Sequence, residues 1–308
     1  MATDLILVTG ATGFLGSAVV GQLTGHGRRV RIAVRQDPDG KADHIEAVSV
    51  GDLSTTTDWT MALKEVDVVI HCAARAHVLT EQAADPLAEF RRVNSGATLT
   101  FARQAAASGV RRFIFISSIG VNGSETRGRG FRHDDPPHPH SPYAVSKHEA
   151  EQGLHAIAAE TGLEVVIIRP PLILGPDARG NLATLNAAID KGLPLPFDMV
   201  TKNRRDFVSL DTLCDLITVA VDHPAAPGGT FLVSDGEAIS TRTLLEQMAA
   251  ARGRSLRLLP VPPALLVLAL GLIGRKAMAA QLFGDLEVDI SHTRRTLDWS
   301  PPAKTAAT

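Results

Sequence analysis

A glycine-rich segment near the start of the chain decides the fold: Thr9-Gly-Ala-Thr-Gly-Phe-Leu-Gly16. It follows a short apolar run, Leu5–Val8, that is predicted to be a buried strand, and it opens a segment with helical spacing, Phe14–Leu23. Gly10 permits a tight turn, Gly13 lets the backbone approach a pyrophosphate, and Gly16 lets the helix pack closely on the strand. The helix N-terminus favours anions. The segment therefore predicts a dinucleotide site, with a purely structural glycine turn as the alternative.

Strands and helices alternate through the first half of the chain. The predicted strands are Leu5–Val8, Val30–Val34, Ala47–Val50, Val66–His71, Arg112–Ser117 and Val165–Ile168, and the predicted long helices are Pro86–Ser108 and Pro142–Glu160. This alternation predicts an α/β fold with a Rossmann-type, doubly wound parallel sheet. Prolines and glycines cluster after Arg169-Pro-Pro. We therefore expect a dinucleotide-binding domain over residues 1–169 and a smaller substrate-binding region over 170–308 that partly returns to the main sheet.

Composition and charge exclude several classes of protein. The chain has 308 residues, of which 44% are hydrophobic and 4% aromatic, and its net charge is −2. Such a charge gives no sign of a nucleic-acid or anionic-membrane surface. Cys72 and Cys214 have neither metal-ligand nor disulfide spacing, so we expect buried thiols in a reducing cytoplasm. The first residues, Met1-Ala-Thr-Asp, lack a basic region, so no signal peptide is expected.

One apolar stretch needs a separate interpretation: Pro263-Ala-Leu-Leu-Val-Leu-Ala-Leu-Gly-Leu-Ile-Gly274, which is followed by Arg275 and Lys276. It is too short to span a bilayer, which takes about 20 residues, so no integral membrane segment is expected. A buried or groove-lining helix is the favoured interpretation. Contact with a membrane surface is the alternative.

The end of the second predicted strand bears on the choice of cofactor. NAD enzymes usually place a carboxylate there to bind the ribose 2′-hydroxyl. Here the strand ends in Val34-Arg35-Gln36, and Arg35 suits a 2′-phosphate, which favours NADP(H) over NAD(H). Asp37 lies close and leaves NAD open, and a solvated Arg35 is the alternative. Asp52 follows the third strand, where its carboxylate would accept a hydrogen bond from adenine or would cap a turn.

A tyrosine and a lysine four residues apart supply the acid–base chemistry. Tyr143-Ala-Val-Ser-Lys147 lies on a predicted helix, so both side chains share one face, and Tyr143 is the only tyrosine in the chain. A phenol is a poor acid or base near neutral pH, but a neighbouring ammonium stabilises the phenolate. We therefore expect Lys147 to lower the pKa of Tyr143, which then exchanges a proton with a substrate oxygen.

Serines at the end of the fifth predicted strand complete the catalytic set. In an open α/β sheet, ligands bind at this carboxyl edge. Ser118 is the better candidate to hydrogen-bond the reacting carbonyl, and Ser117 suits local backbone bonding. Asn94, in the middle of a predicted helix, is expected to hold a backbone carbonyl or a water near Lys147, or to be exposed.

Three histidines, His133, His138 and His140, lie in the proline-rich stretch 131–142. Three prolines interrupt them and no second ligand cluster is present, so the sequence predicts a loop at the mouth of the site and no metal.

Several motifs together resemble the extended short-chain dehydrogenases/reductases. They are Thr9-Gly-x-x-Gly-x-x-Gly16, Val50-Gly-Asp-Leu53, His71-Cys-Ala-Ala74, Ser117-Ser118 and Tyr143-x-x-x-Lys147. Over nearly its whole length the chain resembles the NAD-dependent epimerase/dehydratase group, which acts on nucleotide sugars. Where many sugar epimerases have Val-Tyr-Gly, this chain has Val121-Asn-Gly123. That variant resembles a UDP-glucose 4-epimerase-like bacterial subgroup that includes UDP-N-acetylquinovosamine-type 4-keto reductases for surface polysaccharides.

This resemblance implies roles for particular residues. Ser118 would polarise the reacting carbonyl, Tyr143 would act as acid and base, and Lys147 would anchor the ribose. With the residues derived above, the expected cofactor-binding set is Gly10, Thr12, Gly13, Phe14, Leu15, Gly16, Arg35, Asp52, Leu53, Ala73, Asn94, Ser117, Tyr143, Lys147 and Pro170. The expected substrate-binding set is Ser118, Asn122, Asn181 and Arg205, where Arg205 would approach the diphosphate and the adjacent Arg204 is its alternative.

Four functions stay open on the sequence. The favoured one is an NAD(P)-dependent 4-keto reductase of a UDP-4-keto-6-deoxy-N-acetylhexosamine, and the next is a UDP-hexose 4-epimerase. A hydroxysteroid or small-carbonyl dehydrogenase and a non-catalytic dinucleotide-binding sensor are the others. The resemblance also implies a homodimer through helices Pro86–Ser108 and Pro142–Glu160, in the cytoplasm.

Overall fold

The architecture is a parallel sheet with helices on both faces. The computed structural model describes residues 4–36, 45–76, 83–176, 180–272 and 282–302. The strands are β1 (Leu5–Thr9), β2 (Arg29–Val34), β3 (Glu46–Ser49), β4 (Val68–His71), β5 (Arg112–Ile116), β6 (Glu164–Arg169), β7 (Leu172–Leu174), β8 (Phe207–Ser209) and β9 (Thr230–Leu232). Seven of them form one sheet in the order β3-β2-β1-β4-β5-β6-β9, and every pair is parallel. The predicted fold class is confirmed.

The helices follow the same alternation. They are α1 (Phe14–Gly25), α2 (Thr60–Leu63), α3 (Pro86–Phe90), α4 (Thr98–Ala107), α5 (Pro142–Thr161), α6 (Asn181–Asp190), α7 (Leu210–Asp222), α8 (Thr241–Ala251), α9 (Pro263–Leu272) and a last short helix, Ser291–Thr296. A π-helical segment, Arg91–Ala97, joins α3 to α4, so the predicted helix from Pro86 is continuous but wider at its centre. No described helix is long and apolar enough to cross a membrane.

Alternate side chains of the central strands build two separate core layers. On one face, Ile6 and Ile114 pack with side chains of α1 and α7. On the other face, Leu7 and Phe113 pack with side chains of α4 and α5. Strands buried on both faces need near-continuous apolar runs, which is what the sequence shows for β1, β4, β5 and β6.

The strand order places the site. The chain leaves β3 at one edge of the sheet and crosses to β4 on the far side of β1, so the direction of winding reverses between β1 and β4. Ligands of such sheets bind at the carboxyl ends of the strands next to this reversal.

The second half of the chain contributes to both the sheet and a separate layer. β9 extends the main sheet beside β6, whereas β7 and β8 pair in a small parallel sheet of their own. A further apolar cluster includes Ile189 of α6 and Leu245 of α8. The boundary between residues 169 and 170 stays a prediction. Helix α9 is not a buried helix, because none of its residues is buried, whereas the groove-lining interpretation stays a prediction.

A buried histidine ties the centre of the sheet together. His71 ends β4 and is 1% exposed. Its Nδ1 lies 2.7 Å from Thr9 Oγ1, and its Nε2 lies 3.0 Å from Thr98 Oγ1. Burial, with a smaller contribution from the charge of Lys147, lowers the pKa of His71 to about 3. The imidazole is therefore neutral in the folded protein and joins β1, β4 and α4.

This low pKa predicts an acid-sensitive fold. The unfolded chain binds a proton at His71 near pH 6.5, whereas the folded protein resists it down to about pH 3. The contribution of His71 is fully present above pH 6.5, and the free energy of unfolding falls by about 1.4 kcal/mol per pH unit below it. His71→Gln should flatten this slope in urea unfolding between pH 7 and pH 5. The exposed His26→Gln variant is the control, and equal slopes in all three proteins would contradict the assignment.

Candidate functional site

The glycine turn between β1 and α1 is shaped by close backbone contacts. Gly10 adopts a φ of +68°, and its carbonyl oxygen accepts a hydrogen bond of 2.9 Å from Gly13 N. A Cβ on Gly10 would lie 2.8 Å from Ala73 N, and a Cβ on Gly16 would overlap the Gly10 carbonyl oxygen. Both positions therefore require glycine.

The same turn fits a dinucleotide pyrophosphate. Gly13 precedes the first residue of α1, and no side chain of the described residues caps that end of the helix. The N–H groups of the first turn have no partner within the helix, and Thr12 in the preceding turn is exposed. Bare N–H groups at a helix N-terminus, reached through a glycine turn, suit a phosphate. Phe14 and Leu15 begin the helix that carries this end.

Gly16→Ala is expected to disrupt the turn, because its methyl group would collide with backbone rather than with a movable side chain. The variant should unfold at lower temperature and lose dinucleotide binding by calorimetry. Gly21→Ala, in the same helix, is the matched control, because a Cβ there meets no atom within 4 Å. It should bind normally and gain up to about 1 kcal/mol of stability. Normal nucleotide affinity in Gly16→Ala would refute the phosphate site.

The residues expected around adenosine lie at the ends of β2 and β3. Arg35 and Gln36 are exposed, while Asp37 lies outside the described residues. Asp52 is also exposed, and its backbone oxygen accepts a hydrogen bond of 2.7 Å from Thr57 Oγ1. Leu53 beside it is partly buried. The Asp52 carboxylate and the Arg35 guanidinium are thus both on the surface, where a nucleotide can reach them.

The next two predicted cofactor-binding residues, Ala73 and Pro170, follow β4 and β6. Ala73 N donates a hydrogen bond of 3.3 Å to Thr9 Oγ1, which holds the end of β4 against β1. Pro170 is buried, and its oxygen accepts a hydrogen bond of 2.9 Å from Ile119 N. The first contact joins the ends of β4 and β1, and the second joins the segments that follow β5 and β6.

The two serines at the end of β5 have different environments. Ser117 is buried, and its hydroxyl donates a hydrogen bond of 2.5 Å to Glu151 Oε1. Ser118 is partly exposed, and its Oγ accepts a hydrogen bond of 3.1 Å from Gly120 N. The Ser118 oxygen accepts that bond, so the hydroxyl proton is available to form a hydrogen bond with another group. This arrangement favours Ser118 as the residue that meets a substrate oxygen.

Helix α5 carries the tyrosine and lysine, and its start is well defined. Pro142 occupies the first turn, and Ser141 Oγ accepts a hydrogen bond of 3.2 Å from Ala144 N. Tyr143 therefore lies in the first turn, beside the end of β5. Lys147 follows one turn later and is 2% exposed. Its Nζ donates a hydrogen bond of 2.8 Å to Ile116 O.

The electrostatics of this pair differ from the expectation. Burial raises the pKa of Tyr143 to about 12, so its phenol is protonated. The Lys147 ammonium lies 5.9 Å from the centre of the Tyr143 ring and is directed to the Ile116 carbonyl. Burial also lowers the pKa of Lys147 to about 8. The predicted lowering of the Tyr143 pKa is wrong for this state, because desolvation outweighs the attraction of a lysine directed elsewhere.

Asn94 lies in the π-helical segment and is buried. Its Nδ2 donates hydrogen bonds of 3.1 Å to Arg75 O and to Ser146 Oγ, and its Oδ1 accepts one of 2.8 Å from Arg75 N. It thus holds a backbone carbonyl, as one of its predicted roles required, and it joins the segment after β4 to α5. π-helical turns occur often at functional sites.

A buried ion pair lies beneath the serines, and sequence reasoning missed it. Arg169 donates two hydrogen bonds to Glu151, of 2.9 Å from Nε and 2.6 Å from Nη2. It donates a third, of 2.9 Å, to Asn122 Oδ1. Asn122 is buried and donates in turn to Arg132 O. The spacing of Glu151 could have revealed its place in the site, because Tyr143, Lys147 and Glu151 lie four residues apart along one face of α5.

Breaking this pair is expected to destabilise the protein strongly. Glu151→Gln leaves the Arg169 guanidinium buried without a countercharge, which should cost about 3 kcal/mol or more in urea unfolding. Glu149→Gln is the matched control, because Glu149 lies on the same helix and pairs with Arg91 at the surface. It should change stability little. Equal losses in the two variants would show that the buried pair is not what holds α5 in place.

The predicted substrate residues beyond the sheet edge are more dispersed. Arg205 is 9% exposed and donates a hydrogen bond of 2.9 Å to Gly284 O; burial lowers its pKa. Arg204 is exposed and pairs with Glu287 at 2.9 Å. Asn181 is exposed at the start of α6. The two arginines thus lie on opposite sides of one backbone segment, one inside and one outside.

An open cavity of about 380 Å³ lies on the outer side of this segment. Arg204, Asp206, Glu287 and Arg294 contribute charged groups to its walls. Ser118, Tyr143 and Lys147 do not line it, so it is separate from the catalytic set.

His133, in the proline-rich stretch 131–142, stacks on His292 with ring centres 3.6 Å apart. Among the described residues, no group of three or more metal-ligating side chains is arranged to hold an ion.

A glycine turn at the reversal point of a parallel sheet, with a serine, a tyrosine and a lysine at the neighbouring strand end, defines an extended short-chain dehydrogenase/reductase. The chain belongs to the NAD dependent epimerase/dehydratase family, whose family model matches residues 6–234. The predicted enzyme class is confirmed.

Named relatives agree with this assignment. The chain is 45% identical to a UDP-glucose 4-epimerase of Vibrio cholerae over 303 residues, which cover 96% of this chain and 90% of that protein. A UDP-glucose 4-epimerase structure from Thermotoga maritima with UDP-glucose has a TM-score of 0.75 at 22% identity, covering 97% and 94% of the two chains. An Agrobacterium tumefaciens short-chain dehydrogenase/reductase superfamily protein with bound NAD has a TM-score of 0.72 at 25% identity, covering 98% and 93%.

Proposed function

We propose that this protein interconverts UDP-sugars at the 4-position of the sugar, with UDP-hexose 4-epimerisation as its activity. The observation that carries the proposal is the hydrogen bond of 2.8 Å from Lys147 Nζ to Ile116 O at the end of β5. It supports a site in which Tyr143, on the same helix as Lys147, acts beside Ser118, which follows β5. The Vibrio cholerae relative, a UDP-glucose 4-epimerase, supports the choice of reaction. It moves epimerisation ahead of the 4-keto reductase that the sequence favoured.

The chain's own groups suit proton transfer to and from a sugar oxygen. The partly exposed Ser118 would donate a hydrogen bond to the substrate oxygen, because its own oxygen already accepts one from Gly120 N. Tyr143, protonated in this structure, is ready to deliver a proton to a carbonyl oxygen. In the opposite direction its phenolate must accept the proton of the 4-hydroxyl, and Lys147 is the cation that would stabilise it.

The nucleotide site is proposed for NAD(P). When bound, the nicotinamide supplies the acceptor and donor of hydride. The cradle of Gly10, Gly13 and Gly16 would hold the pyrophosphate, and Lys147 would contact the ribose. An epimerase returns the hydride to the same sugar, so it needs no exchange of cofactor. The exposed Arg35 still favours a 2′-phosphate, and with it NADPH and a reductase, as the second candidate.

The substrate contacts are proposed in a second region. Arg205 is assigned to the diphosphate, because a guanidinium matches phosphate oxygens in pairs. Asn181 at the start of α6 is assigned to the nucleotide. Asn122 stays a proposed substrate residue, although its side chain is buried and bonded to Arg169 and Arg132 O. The homodimer through α3–α4 and α5 also stays a prediction.

The deciding experiment offers UDP-galactose to the purified protein with NAD and follows UDP-glucose formation by chromatography. Tyr143→Phe should lower kcat about 10²-fold or more, because the phenol proton is lost. Ser118→Ala should also lower kcat, and it should lower the unfolding temperature only slightly, because it loses only the bond from Gly120 N. Ser117→Ala is the matched control, because its hydroxyl bonds Glu151, and it should lower the unfolding temperature.

A second assay distinguishes the two candidate reactions. UDP-4-keto-6-deoxy-N-acetylglucosamine is mixed with NADH or NADPH, and the loss of nicotinamide absorbance is followed. Stoichiometric loss that depends on Tyr143, without conversion of UDP-galactose, would replace the epimerase with the reductase. Conversion of UDP-galactose that persists in Tyr143→Phe would overturn the assigned chemistry.

A further inference from the structure

Helix α9 is an apolar helix that the protein leaves uncovered. Every residue from Pro263 to Leu272 is apolar, and none is buried. Leu265 is 57% exposed, Leu268 60% and Leu272 80%. These three leucines follow the spacing of one helical face. Large aliphatic side chains clustered at the surface mark a binding surface rather than ordinary scatter.

The opposite side of α9 is anchored to the protein. Leu266 packs against a cluster that includes Leu195, Phe197 and Leu245, and Leu270, four residues further on, is partly buried. The helix is therefore held in place on its inner side. Its outer leucines cannot turn inward without breaking that packing.

The sequence segment that contains α9 is rich in basic residues. Between Gln247 and Gly284 the sequence contains no acidic residue and five basic ones, which are Arg252, Arg254, Arg257, Arg275 and Lys276. Arg252 and Arg254 pair with the neighbouring Asp190, and the Arg254 side chain is still 58% exposed. The whole chain has a net charge of −2, so the excess of basic residues is confined to this segment and is not evident from the total charge.

We propose that α9 binds the surface of an anionic lipid bilayer. Leu265, Leu268 and Leu272 would enter the boundary between headgroups and acyl chains, while the exposed Arg254 and Arg257 would contact anionic headgroups. An apolar helix face within a basic stretch of sequence is the composition of helices that lie in a bilayer interface. In the sequence, the apolar run that begins at Pro263 ends at Arg275 and Lys276, which makes it too short to span a bilayer. The proposed binding is therefore peripheral, and it does not depend on the proposed reaction.

The test is sedimentation of the full-length protein with vesicles. The vesicles are made of phosphatidylcholine alone, or of phosphatidylcholine and phosphatidylglycerol in equal parts. The wild type should sediment with the mixed vesicles, and the bound fraction should fall as salt is added. The affinity of the double variant Leu265→Gln/Leu268→Gln for mixed vesicles should fall about tenfold or more, because two inserted side chains are lost. Met61→Gln is the matched control, since Met61 is 70% exposed on α2.

A second pair of variants tests the charge. Arg254→Gln/Arg257→Gln should weaken binding to mixed vesicles, whereas Arg127→Gln, at an exposed arginine elsewhere, should not. Light scattering without lipid checks the oligomeric state of every variant. Absence of wild-type binding to mixed vesicles would overturn the proposal. So would a wild-type dimer that Leu265→Gln/Leu268→Gln dissociates, because the surface would then be an interface between protein chains.

Discussion

The candidate site depends on one buried ion pair, between Glu151 of α5 and Arg169 at the end of β6. A charge taken out of water is stable only if its partner and hydrogen bonds are all in place. Here that requirement is met by Ser117, which donates to Glu151, and by Asn122, which accepts from Arg169. One interaction therefore fixes the helix that carries Tyr143 and Lys147 against the strand end that carries Ser118.

Burial also sets the protonation of the site. The same desolvation acts in opposite directions on an acid and a base: it raises the pKa of Tyr143 and lowers that of Lys147. At neutral pH the phenol keeps its proton and the lysine is mostly charged. Tyr143 can therefore donate its proton to a carbonyl oxygen. Use of the phenolate as a base requires the Lys147 charge to act on Tyr143 rather than on the Ile116 carbonyl alone.

The proposed nucleotide and substrate sites are built by different means. The glycine turn is formed by neighbours in sequence, and its shape follows from backbone contacts that any added Cβ would break. Arg205 reaches its position through long-range pairing of its backbone with residues Ile239 and Leu286. The first can be recognised from a motif, whereas the second depends on how distant segments assemble. A relative with this fold can therefore keep the nucleotide cradle while its substrate contacts change.

The sequence by itself determined the parallel sheet and the glycine turn, and it predicted Ser118, Tyr143 and Lys147 as the catalytic set. These follow from local signals: apolar runs of strand length, a strand–turn–helix glycine pattern and a four-residue helical spacing. Tertiary structure alone decided that Glu151 and Arg169 form a buried pair and that His71 is neutral. It also decided that no residue of α9 is buried, whereas its composition left a buried or groove-lining helix and a membrane contact open. In each case the outcome depends on which distant surfaces meet and how much water they exclude, and neither quantity is encoded in local spacing.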